Sequence, residues 1–289
     1  MKPQAERLLD QAAASIESRP ARLASASDLR VGVDLGTATM VMLVLDGEGQ
    51  PLAGRMAAAS VVRDGLVVDF IGAVDQLRSM KAELERELGV ELTRAASAFP
   101  PGVGQADAQA AGYVLGNAGL TCSGLIDEPS AANQVLGLTN GVLVDIGGGT
   151  TGLAILQDGK VVYTADEATG GTHFNLVIAG AMGLSVEDAQ LLKETPAEQP
   201  RLMAIVRPVI EKVGAIVGRH IQDWNVDHVM LVGGASAFLG LCDVLQDYLG
   251  LRVTVAPHPQ LVTPLGIALA DAFEAADSTA ESALDWSRA

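Results

Sequence analysis

Apolar positions along the chain follow two periods, short runs closed by glycine turns and longer stretches with apolar residues three and four apart. Val31-Gly32-Val33-Asp34-Leu35, Met40 to Leu45 and Pro51 to Ala53 predict a three-strand meander with an Asp46-Gly47 turn. Val142 to Ile146, Leu153 to Leu156 and Val161 to Tyr163 predict a second meander around Asp158-Gly159, a hairpin dipeptide. Further strands are expected at Ala95 to Phe99, at Leu125 to Asp127, at Asp227 to Val232 and at Leu251 to Val255. Helices are expected over 3–18, 74–88 and 104–118, from Ser185 to Lys193, over Leu202 to Trp224 with Pro208 in an early turn, and from Thr263-Pro264 onward. Residues 60–72 read as a turn-containing connector, and 195–200 as a polar loop. Gly233-Gly234-Ala235-Ser236 is expected to lead straight into a helix ending near Leu249.

The two meanders share one grammar: an apolar strand, an aspartate, a glycine-threonine turn, then a second strand. Asp34 and Asp145 stand 111 positions apart, too far for a solenoid repeat, so the chain reads as α/β with two duplicated lobes. The expected division is an arm and linker at 1–29, a first lobe at 30–139, a second at 140–275 and an acidic tail at 276–289.

At 289 residues, with 49% apolar and only 3% aromatic residues, the chain can fill two intimately joined cores with small aliphatics. A formal charge of −16 excludes DNA or RNA as a main partner, because such affinity comes from neutralising phosphates with Lys and Arg. Bound nucleotide is compatible with that charge, since local amides and a cation can hold it. Cys122 and Cys242 lie in unrelated contexts and indicate neither a disulfide nor a zinc site. The absence of a long apolar run predicts no membrane span and a cytoplasmic protein.

The chemistry concentrates at the meander turns. Gly147-Gly148-Gly149-Thr150-Thr151 lets main-chain amides approach an oxyanion, leaving Asp145 to meet a cation. A glycine-rich hairpin without a ligand is the plainer alternative. The spacing Gly147, Gly149, Gly152 also fits the dinucleotide fingerprint, but no helix is expected at those glycines. If Asp34-Leu35-Gly36-Thr37-Ala38 faces this turn across a cleft, the pair would clamp a polyphosphate, with both aspartates near one divalent cation. Asp127 and Glu128 stand at a strand's carboxyl end before Pro129, where α/β folds place chemistry; a capped turn with solvated acids fits the same residues. Gly170-Gly171-Thr172 is expected to feed a helix whose N-terminus is in principle a further anion site, with His173 as a helix-start or cleft residue.

Taken in order, these blocks resemble the nucleotide-binding fold of actin, Hsp70 chaperones and sugar kinases, a ribonuclease H-like duplication. Asp34 to Thr37 is similar to its first phosphate motif, Asp127 to Ala132 to the first connection, and Asp145 to Thr151 to the second phosphate motif. Val232 to Ser236 is similar to the adenosine motif and Pro264 to Ala268 to the second connection. The resemblance implies ATP or ADP with Mg²⁺, held through water by Asp34 and Asp145. It implies Gly36, Thr37, Ala38 and Gly147 to Thr151 on phosphates, and Glu128 or Asp127 placing the attacking water. Gly233 to Ser236 with Lys193 would hold the nucleoside, Gln190 standing where Hsp70 carries glutamate. No lysine occurs between Lys2 and Lys81, so the Hsp70 lysine near the γ-phosphate has no counterpart. Only a short tail follows the last motif, so peptide clamping by a separate domain is not expected.

Within that superfamily, the stretches Val61 to Asp69, Thr164 to His173 and Leu261 to Ala268 look like the EutJ family, encoded with ethanolamine utilization and bacterial microcompartment genes. The resemblance implies a chaperone-like, slowly hydrolysing ATPase whose lobes close on nucleotide and change a surface read by a protein client or shell component, in the cytoplasm or at a microcompartment. The alternative is an actin-like scaffold with weak turnover, able to form homo-oligomers.

Overall fold

The structure, a computed structural model, describes residues 2–59, 61–63, 66–101 and 105–271. The expected acidic tail at 276–289 lies outside them. The elements in chain order are α1 (Pro3–Glu17), β1 (Arg30–Leu35), β2 (Thr39–Leu45), β3 (Pro51–Ala58), β4 (Val62–Arg63), β5 (Leu66–Val67), α2 (Phe70–Leu88), β6 (Arg94–Phe99), α3 (Gln105–Asn117), β7 (Thr121–Asp127) and α4 (Glu128–Leu136). The second half adds β8 (Gly141–Ile146), β9 (Thr151–Gln157), β10 (Lys160–Glu167), α5 (Gly171–Met182), α6 (Val186–Glu194), α7 (Gln199–Ile221), β11 (His228–Val232), α8 (Leu241–Leu249), β12 (Arg252–Val255) and α9 (Val262–Ala270).

The duplication is complete at the level of topology. One five-stranded sheet runs β3-β2-β1-β6-β7 and the other β10-β9-β8-β11-β12. In each, an antiparallel meander is followed by two parallel strands. Alternation then gives each sheet two buried faces. Val31, Val33, Met40 and Met42 point outward to α2 and α3, while Val142, Val144, Leu153 and Ile155 point outward to α5, α7 and α8. The inner faces share one core with α1, α4 and α9, built from Leu9, Val41, Leu43, Leu143, Ala154, Val135 and Leu265.

The connecting helices cross over. α9 follows the second sheet but lies on β1 of the first, so close that a Cβ at Gly32 would stand 2.4 Å from the Ala268 nitrogen. α4 follows the first sheet and packs against Leu143, Ala154 and Leu156 of the second. The halves are therefore tied by exchanged helices rather than by a flexible link.

Four local expectations are corrected. α2 starts one turn early, at Phe70, because the Asp69 carboxylate caps it by accepting the Gly72 N–H at 2.9 Å. α7 starts at Gln199 and runs through Pro208 in its interior; Leu202, Val206, Ile210 and Val213, all fully buried on one face, outweigh the lost hydrogen bond. β3 continues to Ala58, carried by pairing with β2. A 3-10 turn at Gly234–Ala237 separates the glycine pair from α8, which begins only at Leu241.

Candidate nucleotide site

Asp34 and Asp145 end β1 and β8 on the inner faces of their sheets. The turns that follow are the same turn twice: Gly36 N–H donates to Thr39 O and Gly147 N–H to Thr150 O, each at 3.0 Å. They face each other and touch. A Cβ at Gly148 would lie 2.6 Å from the Ala38 Cβ, and one at Gly149 would lie 3.1 Å from the Thr37 methyl. Beside this contact, Asp34, Gly36, Thr37, Glu128 and Thr150 border a cavity of about 60 Å³. That is room for a few waters, each needing roughly 10–15 Å³, and far short of a nucleotide.

Glu128, the first residue of α4, completes a group of three acids under the turns. Burial is the largest influence on each. It lifts Asp34 to about 7 with help from the charge on Asp145. It lifts Asp145 to about 6 against the pull of a hydrogen bond from the Thr263 hydroxyl at 3.2 Å, with Asp166 adding to the rise. Glu128 is raised well above the ordinary carboxylate range, with Asp145, Asp34, Asp166 and Asp127 contributing after burial. Such a concentration of mutually repelling carboxylates under open turns is a fitting donor set for a divalent cation. Among the described residues no three acid, histidine or cysteine side chains converge tightly enough to hold a metal ion directly. Asp34 and Asp145, with Glu128, would hold such a cation through water, and it would supply charge neutralisation to phosphate oxygens.

A second group gathers at the N-terminal end of α5. Lys193 Nζ donates to the Gly171 carbonyl at 3.4 Å, burial lowers its pKa, and a Cβ at Gly171 would meet Lys193 Nζ and Ala235 Cβ, each at 3.3 Å. Gln190 accepts from Asn175 Nδ2 at 3.4 Å and donates to Glu194 at 3.0 Å. Gly233 links the two groups: its φ of +85° is a glycine conformation, and a Cβ there would fall 2.1 Å from Asp145 Oδ1.

Several candidate groups are committed within the fold. The Thr151 hydroxyl donates to Thr169 O at 2.5 Å and the Ser236 hydroxyl to Val232 O at 2.6 Å. Asp127 caps α4 by accepting the Ser130 N–H at 2.9 Å. The first amides of α5 hold the phosphate turn itself, Gly171 N–H donating to Gly147 O and Thr172 N–H to Gly148 O, each at 2.8 Å. His173 turns back to accept the Gly170 N–H at 3.2 Å.

Asp166 is the acid that sequence reading missed. Register places Asp145 opposite Gly152 and Gly152 opposite Asp166, one row across β8, β9 and β10. With no side chain at Gly152, Asp166 Oδ1 lies 3.7 Å from where its Cβ would be.

Comparison with known proteins places the family and the fold. The profile of the type IV pilus assembly protein PilM matches residues 130–263, and that of the MreB/Mbl protein matches residues 49–183. The chain is 28% identical to a chaperone protein HscA homolog of Chromobacterium violaceum, matching 72% of this chain and 42% of that protein. MreB5 of Spiroplasma citri bound to AMPPNP superposes with a TM-score of 0.70 at 16% identity over 84% of this chain and 96% of that one, a likeness of fold alone. The crystal structure of ethanolamine utilization protein EutJ from Carboxydothermus hydrogenoformans superposes at a TM-score of 0.87, with 46% identity over 92% of this chain and 97% of that one. Ethanolamine utilization protein EutJ of Salmonella typhimurium is 43% identical over 261 residues, 90% of this chain and 91% of that protein. With identity of this level along nearly its whole length, the chain belongs to the EutJ family of the actin- and Hsp70-like fold.

Proposed function

We propose that the chain binds ATP with Mg²⁺ between its two halves and acts as a chaperone-like switch in ethanolamine utilization. The observation that carries the proposal is the pair of identical aspartate-ended turns facing each other over Glu128. In this reading Gly36 to Ala38 and Gly147 to Thr150 offer amides and hydroxyls to phosphates. Asp34 and Asp145 orient the cation's waters, and Glu128, free of the capping duty that occupies Asp127, places the attacking water. Lys193 and the Gly233 to Ala235 turn hold the nucleoside. The small cavity between the touching turns supports a cycle in which the halves part to admit nucleotide and close on it, presenting a changed surface to a protein client or shell component.

Calorimetric titration with ATP, with and without Mg²⁺, tests the reading. Magnesium-dependent binding that Asp145→Ala abolishes is the expected result; binding and hydrolysis unchanged in Asp145→Ala would sink it. A second reading is a scaffold of the same fold with little turnover, favoured by the direct contact of Thr37 and Ala38 with Gly149 and Gly148, which by itself ties the halves together. No binding at millimolar ATP would select it.

A further inference from the structure

Equivalent rows in the two sheets carry different chemistry. In the first sheet, register sets Asp34 opposite Val41 and Val41 opposite Met56; in the second it sets Asp145 opposite Gly152 and Gly152 opposite Asp166. Val41 and Gly152 are separated by the same 111 positions as Asp34 and Asp145, so the fold accepts an apolar side chain in the middle of this row. Neither backbone shape nor crowding requires the glycine. Its φ lies outside the left-handed region, and a Cβ there would make ordinary contacts, 3.7 Å from Asp166 Oδ1 and 3.9 Å from Asp145 Cβ.

What Gly152 supplies is room between carboxylates. Glu128, Asp145 and Gly152 line a cavity of about 10 Å³, close to the least space that holds one water. Asp166 stands on the edge strand of the sheet, exposed to solvent, with its carboxylate reaching toward the place that a side chain at Gly152 would fill. Burial is the main reason that the Asp145 and Glu128 carboxyls are raised, and the charge on Asp166 adds to both. The row in the first sheet has no such partner for Asp34, since Val41 and Met56 offer no acceptor.

We propose that Asp166 is a positioning residue of the nucleotide site: through a water seated over Gly152 it helps Asp145 and Glu128 hold the hydrated cation. The assignment rests on the nucleotide reading of the facing turns. A water bound to a divalent cation is a strong donor, and a carboxylate accepting from it orients it and strengthens its bond to the metal. The grip on the cation then belongs mainly to the second half, although both halves carry the aspartate.

Calorimetric titration of the full-length protein with ATP gives the ratio of Kd without Mg²⁺ to Kd with it. Asp166→Asn is expected to cut that ratio roughly tenfold, the low end for removing a group that acts through a metal's ligands, while affinity for ATP alone stays within about twofold. Gly152→Val installs the residue of the first sheet in the water's place and should cut the ratio likewise, with Asp166 intact. Gly152→Asp in the Asp166→Asn background returns a carboxylate to the row and should restore most of it. Glu167→Gln removes the next acid along β10, which points to the opposite face and binds Arg219 and His220, and should leave the ratio unchanged. A ratio unchanged in Asp166→Asn or in Gly152→Val, or lowered as much by Glu167→Gln, overturns the proposal and leaves nucleotide binding in place. A wild type that binds no ATP overturns the nucleotide reading and this assignment with it.

Discussion

Gly266 of α9 crosses Ala131 of α4 at a distance that admits no side chain: a Cβ there would stand 1.8 Å from the Ala131 carbonyl oxygen and 2.4 Å from its carbon. Backbone meets backbone at this crossing, so neither partner can swing aside as a flexible side chain would. Gly266→Ala is expected to force the exchanged helices apart and cost about 3 kcal/mol, the upper range for overpacking. Gly116→Ala, on α3 with nothing within 4 Å of the added carbon, is the control and should be neutral or slightly stabilising. Thermal unfolding of the two variants checks the pair; equal melting temperatures would mean that the crossing is not rigid.

The acids under the turns predict how stability varies with pH in the nucleotide-free protein. Asp34 titrates at about 7 and Asp145 at about 6, both raised chiefly by burial from an ordinary value near 4. Between those limits the folded chain binds more protons than the unfolded one, so the stability they contribute is complete below about pH 4 and is lost as pH rises through 6 to 7. Asp34→Asn should flatten this fall and raise the melting temperature at pH 8 by a few degrees, on the scale of roughly 2–4 °C per kcal/mol. Melting curves of wild type and variant from pH 5 to 8 that run parallel would contradict it.

Asp271 predicts the strength of the other tie between the halves. Its carboxylate, just past α9, accepts the Val31 N–H at 2.8 Å, Arg94 Nη2 at 2.7 Å and the Ser123 hydroxyl at 2.6 Å, all from the first sheet. The side chain has no exposure. Asp271→Ala removes three partners' acceptor at once and is expected to destabilise by about 3 kcal/mol, measured by denaturant titration; Asp271→Asn should recover part of that loss. A change within the error of the titration would show the network to be dispensable.

How much of this could be seen in the sequence depended on whether the determinant was local. Asp34, Asp145 and their glycine turns follow from adjacent residues, and the structure places each at a strand end with the same turn hydrogen bond. Glu128 and Asp127 could be found together but not told apart, because the cap that occupies Asp127 is a matter of helix geometry. Asp166 was hidden by one residue: the two-residue turn at Asp158-Gly159 fixes the register of β9 and β10, but a bulge between Val161 and Tyr163 shifts every later pair and brings Asp166, not Ala165, opposite Gly152. The seat of α1 was hidden for a different reason. Amphipathic spacing shows that a helix has a face to bury, and says nothing about which sheet will receive it.

The touching turns make the final prediction. Ala38 and Gly148 approach so closely that a β-carbon added at Gly148 would lie 2.6 Å from that of Ala38, about 1 Å inside the usual Cβ separation of a disulfide. A small outward shift would let Ala38→Cys with Gly148→Cys form one, locking the halves at the closed contact, while the native Cys122 and Cys242 sit elsewhere as free thiols. If nucleotide enters only when the turns part, the oxidised double variant should show no ATP binding by calorimetry, and reduction should restore it. Reduced protein is its own control, since sequence and fold are unchanged between the two measurements. Equal affinity before and after reduction would mean that nucleotide reaches its site without separating the turns, and the phosphates would then have to lie outside the gap between Ala38 and Gly148.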